Sequence, residues 1–211
     1  MTDVLQAGRV RQGAAVKRRA RRIILVRHGR PSHPYEGSLT ASEYEDWWSE
    51  YELSGLAEGE EPPPELLKLA GESDLIFSST LLRAQETAAR LAGDRDVQSD
   101  VLFVEMPLPR PPLPLMRAGP HNWGWIARTF WILGRTGDGE SAVAGIRRAR
   151  EIADRLIRAA EDGQTVMLCA HGFTNWMVNV ALRLRGWRRT YNGGNAYWSW
   201  GAFERGTDRH R

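Results

Sequence analysis

The chain has a single cysteine, Cys169, in 211 residues. No disulfide can close within one copy, and a cysteine-based zinc-finger ligand set is excluded. Long apolar runs are missing as well. No window approaches the ~20 residues that span a bilayer, and the N-terminus lacks the apolar stretch of a secretory signal. Together these absences predict a soluble protein of the reducing cytoplasm with no membrane span. Internal repeats and inter-domain linkers are not seen either. The length suits one large domain with its own core, predicted over residues 21–211.

What is present is unevenly placed. Residues 1–22 carry Arg9, Arg11, Lys17, Arg18, Arg19, Arg21 and Arg22 against Asp3 alone, in a chain whose formal net charge is only +3. The remainder is therefore acidic. A cationic arm of this kind either binds RNA, DNA or anionic lipid weakly or is a solvated leader. The second reading is favoured, which makes residues 1–20 a basic, disordered tail and leaves the body without specific nucleic-acid binding.

Apolar periodicity predicts strands alternating with helices. RIILV, DLIFS (Asp74–Ser78), VLFVE and TVMLCA read as buried strands of a sheet covered on both faces. SEYEDWWSEYEL reads as a helix with Tyr44, Trp47, Trp48 and Tyr51 near one face, and PPPELLKLAGES as a proline-started helix ending near Gly71. LLRAQETAARLAG is closed by Gly93. The segment MPLPRPPLPLMRAG has too many prolines for a helix or a central strand and predicts a stiff extended loop. Helices follow in NWGWIARTFWILG, in GESAVAGIRRAREIADRLIRAAEDG, capped by Ser141 or Asp138, and in GFTNWMVNVALRLRGW. NAYWSWGAFER alternates like a strand at a sheet edge. The fold class is α/β, a three-layer α/β/α sandwich with a mainly parallel sheet.

Two of the predicted strands end alike. One runs into Arg27-His28-Gly29 and another into Ala170-His171-Gly172. Ligands of open parallel sheets bind beyond the carboxyl ends of the strands, so the two imidazoles can share one crevice, with Gly29 and Gly172 allowing close backbone approach to a ligand. Arg83 falls in the first turn of its helix, where the macrodipole disfavours a cation. A bound anion would relieve that. Arg27, Arg83 and two histidines make a pocket suited to a phosphoryl group, because guanidinium forks match phosphate oxygens. Glu105, directly after VLFV, adds a carboxyl to the rim, either as a reacting group or as the partner of an arginine or a helix terminus. His33, His121 and His210 lack such placement and read as surface residues.

LVRHG at 25–29, SSTLLRAQETA at 78–88, Glu105 and AHG at 170–172, in this order, resemble the histidine phosphatase superfamily, which includes the cofactor-dependent phosphoglycerate mutases. The likeness spans about residues 23–203. It implies a phosphoglycerate mutase-like fold and hydrolysis of phosphomonoesters through a phosphohistidine. On that resemblance His28 is the nucleophile and Glu105 the general acid and base. Arg27, Arg83, His171, Gly29 and Gly172 hold the phosphate of a small phosphorylated substrate. The resemblance implies no metal and no organic cofactor, and leaves the oligomeric state unknown.

The sequence also departs from that pattern. After RHG the chain reads Arg30-Pro31-Ser32-His33-Pro34-Tyr35, without the family's asparagine, and Arg30 either replaces that contact or faces solvent. Asn175 is a candidate for a phosphate or supporting contact. Mutase-type substrate segments are not found, so a phosphotransferase of that type is disfavoured; a catalytically idle phospho-ligand binder is the other alternative. Core packing is the default for most of the nine tryptophans; Leu113, Leu115, Met116, Trp123, Trp125 and Trp131 nevertheless predict an apolar lip suited to a planar or greasy substrate.

Overall fold

The computed structural model describes residues 21–34, 36–136 and 139–205. The segment predicted as a basic tail, His210 and the alternative cap Asp138 lie outside the described residues. The elements run β1 (Arg21–Arg27), α1 (Ala41–Leu53), α2 (Pro64–Gly71), β2 (Leu75–Ser79), α3 (Leu82–Ala92), β3 (Gln98–Asp100), α4 (Pro120–Ile132), α5 (Ala142–Ala159), β4 (Thr165–Ala170), α6 (Gly172–Leu184), β5 (Arg188–Asn192) and β6 (Trp200–Arg205).

The strands form one six-stranded sheet in the order β3-β2-β4-β1-β6-β5. β1, β4, β2 and β3 are mutually parallel, while β6 runs antiparallel to β1 and β5 antiparallel to β6. Alternation along the strands sends their apolar side chains to two faces. Ile23 and Leu25 of β1, with Val166 and Leu168 of β4, pack against Ile152 and Leu156 of α5 and Val178 and Leu182 of α6. Ile24, Val26, Met167 and Cys169 face the other way, onto Leu66 of α2 and Ala88 and Leu91 of α3. Two apolar faces under two pairs of helices give the three-layer sandwich. Burial of each large side chain contributes about 1.5–3 kcal/mol. Cys169 is a free thiol inside this core, and burial pushes it up to about 12.

A smaller third cluster joins Tyr44, Trp47 and Tyr51 of α1 to Trp123 and Ala127 of α4. α1 begins with a capping box in which Thr40 and Glu43 satisfy each other's backbone N–H groups. The proline-rich connection is a loop, as predicted, but it turns at residues 114–115 and is tied to the loop before α1 by the Leu39–Ala118 bridge. Ser141 caps α5 by accepting from the Ala144 amide.

Three expectations need correction. VLFVE is not a strand: β3 is the polar triplet before it, and Val101–Phe103 form a 3-10 turn. Asp100 accepts the Leu102 amide and turns the chain, so Phe103 reaches the core from a turn. NAYWSWGAFER supplies β6, but β6 lies between β1 and β5. The edge is β5, an exposed strand that apolar patterning could not reveal. The expected lip loses Trp123 and Trp131, which are buried in the core, while Leu115, Met116 and Trp125 are exposed.

Candidate active site

β1 and β4 are adjacent and parallel, with Arg27 in register with Ala170. The residues that follow each strand therefore emerge side by side. His28 and His171 are both buried, with ring centroids 5.2 Å apart. The His28 Nδ1–H donates to its neighbour's carbonyl, Gly29 O, at 2.8 Å. That bond leaves the lone pair on Nε2, which accepts from the Nε–H of Arg83 at 3.4 Å.

Arg83 is fully buried. Its position at the N-terminal end of α3 is offset by the C-terminal end of α1, because Nη1 donates to the carbonyls of Tyr51 at 3.0 Å and Glu52 at 3.1 Å. The Tyr51 ring lies 4.5 Å from its Cζ. Nη2 is buried without a partner. Arg27 reaches the same pocket with Tyr197 stacked on it, Cζ lying 4.6 Å from the ring. It donates through Nη1 to the carbonyl of Asn195, and its Nε is buried and unpaired. Burial chiefly, then mutual repulsion and the two arginines, holds His28 well below the usual histidine range, against the Gly29 bond, which raises it. His171 is depressed by burial first and then by Arg83, Arg27 and Arg148. Both rings are neutral near pH 7.

Glu105 follows the 3-10 turn and sits at the start of α6. Its Oε1 accepts from the amides of Thr174 at 2.9 Å and Met106 at 3.1 Å and from the Thr174 hydroxyl at 2.9 Å, and its Oε2 from the Phe173 amide at 3.3 Å. The carboxyl thus satisfies helix N-terminal donors and faces the positive end of α6. Its charge also acts on Arg83. A second carboxyl not singled out from the sequence, Glu52, lies in the same field and is pushed up by burial, against Arg83.

The structure brings Arg27, His28, Arg83, Glu105 and His171 together and leaves other candidates aside. Arg30 is paired with Glu60, Nε to Oε1 at 3.0 Å, with a side chain largely exposed to solvent. Asn175 donates to the carbonyl of Val26 at 3.0 Å, bracing α6 against the end of β1. Protein packs against the two glycines. A Cβ on Gly29 would lie 2.5 Å from the Trp198 ring, and one on Gly172 would lie 2.8 Å from Oδ1 of Asn195. The Gly29 amide is taken by the Thr87 hydroxyl at 3.0 Å. His121 is exposed, as predicted, but His33 is partly buried with its ring 5.3 Å from that of Trp47.

The sequence reading missed the segment before β6. Tyr197 stacks on Arg27 and its ring lies 5.7 Å from that of His28. Trp198 covers Gly29 and donates from Nε1 to Glu60 at 2.7 Å. Trp198 holds φ +60, the one non-glycine residue in the left-handed region among the described residues. Such strain in a bulky residue persists only where surrounding contacts enforce it.

Two strand-end histidines, the buried Arg83 and the half-buried Arg27, each arginine with an unpaired buried nitrogen, match a family pattern. The model of the histidine phosphatase superfamily (branch 1) matches residues 23–209. The chain belongs to this superfamily. No curated protein matches the sequence. Among solved structures it is similar to a mycobacterial glucosyl-3-phosphoglycerate phosphatase complexed with VO3, with 22% identity over 87% of this chain and 90% of that one and a TM-score of 0.55. The same enzyme with inorganic phosphate gives 23% identity, 87% and 89% coverage and a TM-score of 0.52. A mutant phosphoserine phosphatase from Entamoeba histolytica, in complex with phosphoserine, gives 19%, 86% and 89%, and 0.50. Similarities at this level establish the shared histidine phosphatase fold. No helix among the described residues is long and apolar enough to cross a membrane.

Proposed function

We propose that this member of the superfamily is a phosphomonoester hydrolase working through a phosphohistidine on His28. The observation that carries the reading is the state of the His28 ring. Nδ1 is committed to Gly29 O, and Nε2 is held neutral beside two cations and a second imidazole. Nε2 attacks phosphorus, an N–P bond forms, and the ester P–O bond breaks with its electron pair on the leaving oxygen. Glu105 supplies the proton that makes the alcohol. Water then attacks the phosphohistidine, its proton passes to Glu105, and the P–N bond breaks to release phosphate and restore His28.

Arg27, Arg83 and His171 hold the phosphoryl oxygens, and the buried unpaired donors on both arginines support that role. Fixed cations in a desolvated pocket stabilise the charge spread over the transferring group without reorganising. Gly29 and Gly172 contribute by making room for the Asn195–Trp198 segment. Small phosphorylated compounds are the substrate class, as the phosphoserine and phosphate bound by the similar proteins suggest.

The test is hydrolysis of an aryl phosphate by the full chain and by His28→Ala, with labelled phosphate trapped on protein at acid-sparing pH. The expected result is turnover and a trapped acid-labile phosphoprotein that both vanish in the variant. Phosphate binding with neither would make the protein a phospho-ligand binder.

A further inference from the structure

Beside the anion pocket, a cleft of about 740 Å³ opens between α4, α6 and the strands β1, β6 and β5. Arg27 belongs to its wall, so the cleft shares a cation with the phosphate site. Its character is different. Trp125 of α4 with Phe173 and Trp176 of α6 supply aromatic surface. Phe173 and Trp176 are stacked nearly parallel and offset, with centroids 5.7 Å apart. Trp125 and Trp176 are still 60% and 56% exposed, although they line a concave site where a flat ligand would cover them.

The charge is equally one-sided. Arg27, Arg128 and Arg189 line the cleft, and no carboxylate does among the described residues. Arg128 lies over Phe173, Cζ to centroid 4.9 Å, and over Trp125 at 5.7 Å. Rings occupy the faces of its guanidinium, while its N–H donors lie in the guanidinium plane, directed past them. No ion pair holds Arg128 among the described residues. Asn175, oriented by its bond to Val26 O, keeps a buried Oδ1 without a donor.

We propose that this cleft receives the alcohol half of the substrate, and that this half is a planar aromatic group bearing a second negative charge. Rings of the cleft cover its faces, Arg128 binds its anionic substituent, and Arg27 ties the cleft to the phosphoryl site. A small aliphatic alcohol would leave the tryptophans wet and Arg128 unused. The inference rests on the hydrolase reading for its chemistry, and its binding half can be tested separately.

The experiment compares 4-carboxyphenyl phosphate with its neutral carboxamide isostere and with glycerol 3-phosphate, using the full chain. The carboxylate should win over the carboxamide in kcat/KM by about tenfold, the worth of one charge-assisted contact. Arg128→Gln should bring that ratio close to one. Trp176→Ala should lower the ratio of aryl to glycerol ester by about tenfold. Turnover with no charge preference, or a preference that survives Arg128→Gln, overturns the cleft assignment and leaves the hydrolase reading standing. If no ester is turned over, the hydrolase reading fails instead, and calorimetric titration of 4-hydroxybenzoate decides the cleft. Binding by the parent that Arg128→Gln loses supports an anionic aromatic site, and no binding by the parent rules it out.

Discussion

The hydroxyl of Ser79 lies 2.8 Å from Nε2 of His171. The same oxygen accepts the amide of Leu81 at 3.2 Å. With the hydroxyl proton on the His171 side, the ring proton sits on Nδ1, the buried nitrogen that has no protein partner. Ser79, at the end of β2, thus fixes the orientation of the His171 ring.

Ser79→Ala should consequently loosen phosphate more than it loosens the fold. Inhibition by inorganic phosphate should weaken about tenfold, in line with about 1–1.5 kcal/mol for one hydrogen bond. Inhibition constants measured alongside the thermal midpoint separate this from general destabilisation. An unchanged inhibition constant would remove Ser79 from the anion site.

Glu105→Gln keeps an oxygen for the α6 amides but cannot give up a proton. We expect kcat for alkyl phosphates to fall about a hundred- to ten-thousand-fold, and far less for nitrophenyl phosphate, whose leaving group departs without help. If Glu52→Gln carries that alkyl-selective loss instead, the proton donor belongs to α1.

Stability should depend on pH through the two buried rings. Both folded-state pKa values lie below the unfolded value of about 6.5, so between the two the unfolded chain holds more protons. The contribution is whole above that pH and declines as pH falls below it, by about 1.4 kcal/mol per unit for each ring. Urea midpoints between pH 7.5 and 5.5 test this before the carboxylates titrate. For the same reason the acid limb of kcat/KM due to His28 should lie below 6.5. A flat stability profile over that window would mean the rings are not desolvated as described.

Gly29→Ala places a methyl against the Trp198 ring, at 2.5 Å in the present packing. Because Trp198 is held by Glu60 and by its strained backbone, relief requires moving the segment that stacks Tyr197 on Arg27. We expect a loss of about 1–3 kcal/mol and a fall in kcat, read from denaturation and initial rates. Wild-type values would show that the segment moves freely.

Much of the candidate site was legible because its parts are local. Apolar runs that stop at Arg27-His28-Gly29 and at His171-Gly172 carry both the strand and its terminal side chains in one stretch. Arg83 was legible from its helix start. Tyr51, Ser79, Thr174 and Tyr197 were not, because each acts through a residue remote in sequence and none has an unusual local pattern. Trp123 and Trp131 misled for a related reason: a tryptophan looks the same in a sequence whether it lines a mouth or fills a core. β5 escaped notice because an exposed edge strand needs no apolar face.

Local chemistry alone thus determined the α/β alternation, the strand-end histidines and arginines, and the superfamily, since hydrophobic periodicity and short motifs are properties of contiguous residues. Tertiary structure decided that β1 lies beside β4, so that His28 meets His171, and that the end of α1 neutralises the cost of Arg83. It also decided that a tryptophan, rather than a ligand, fills the space over Gly29. Those are outcomes of packing, in which volumes and partners from distant segments compete for one place, and no stretch of the chain carries that information by itself.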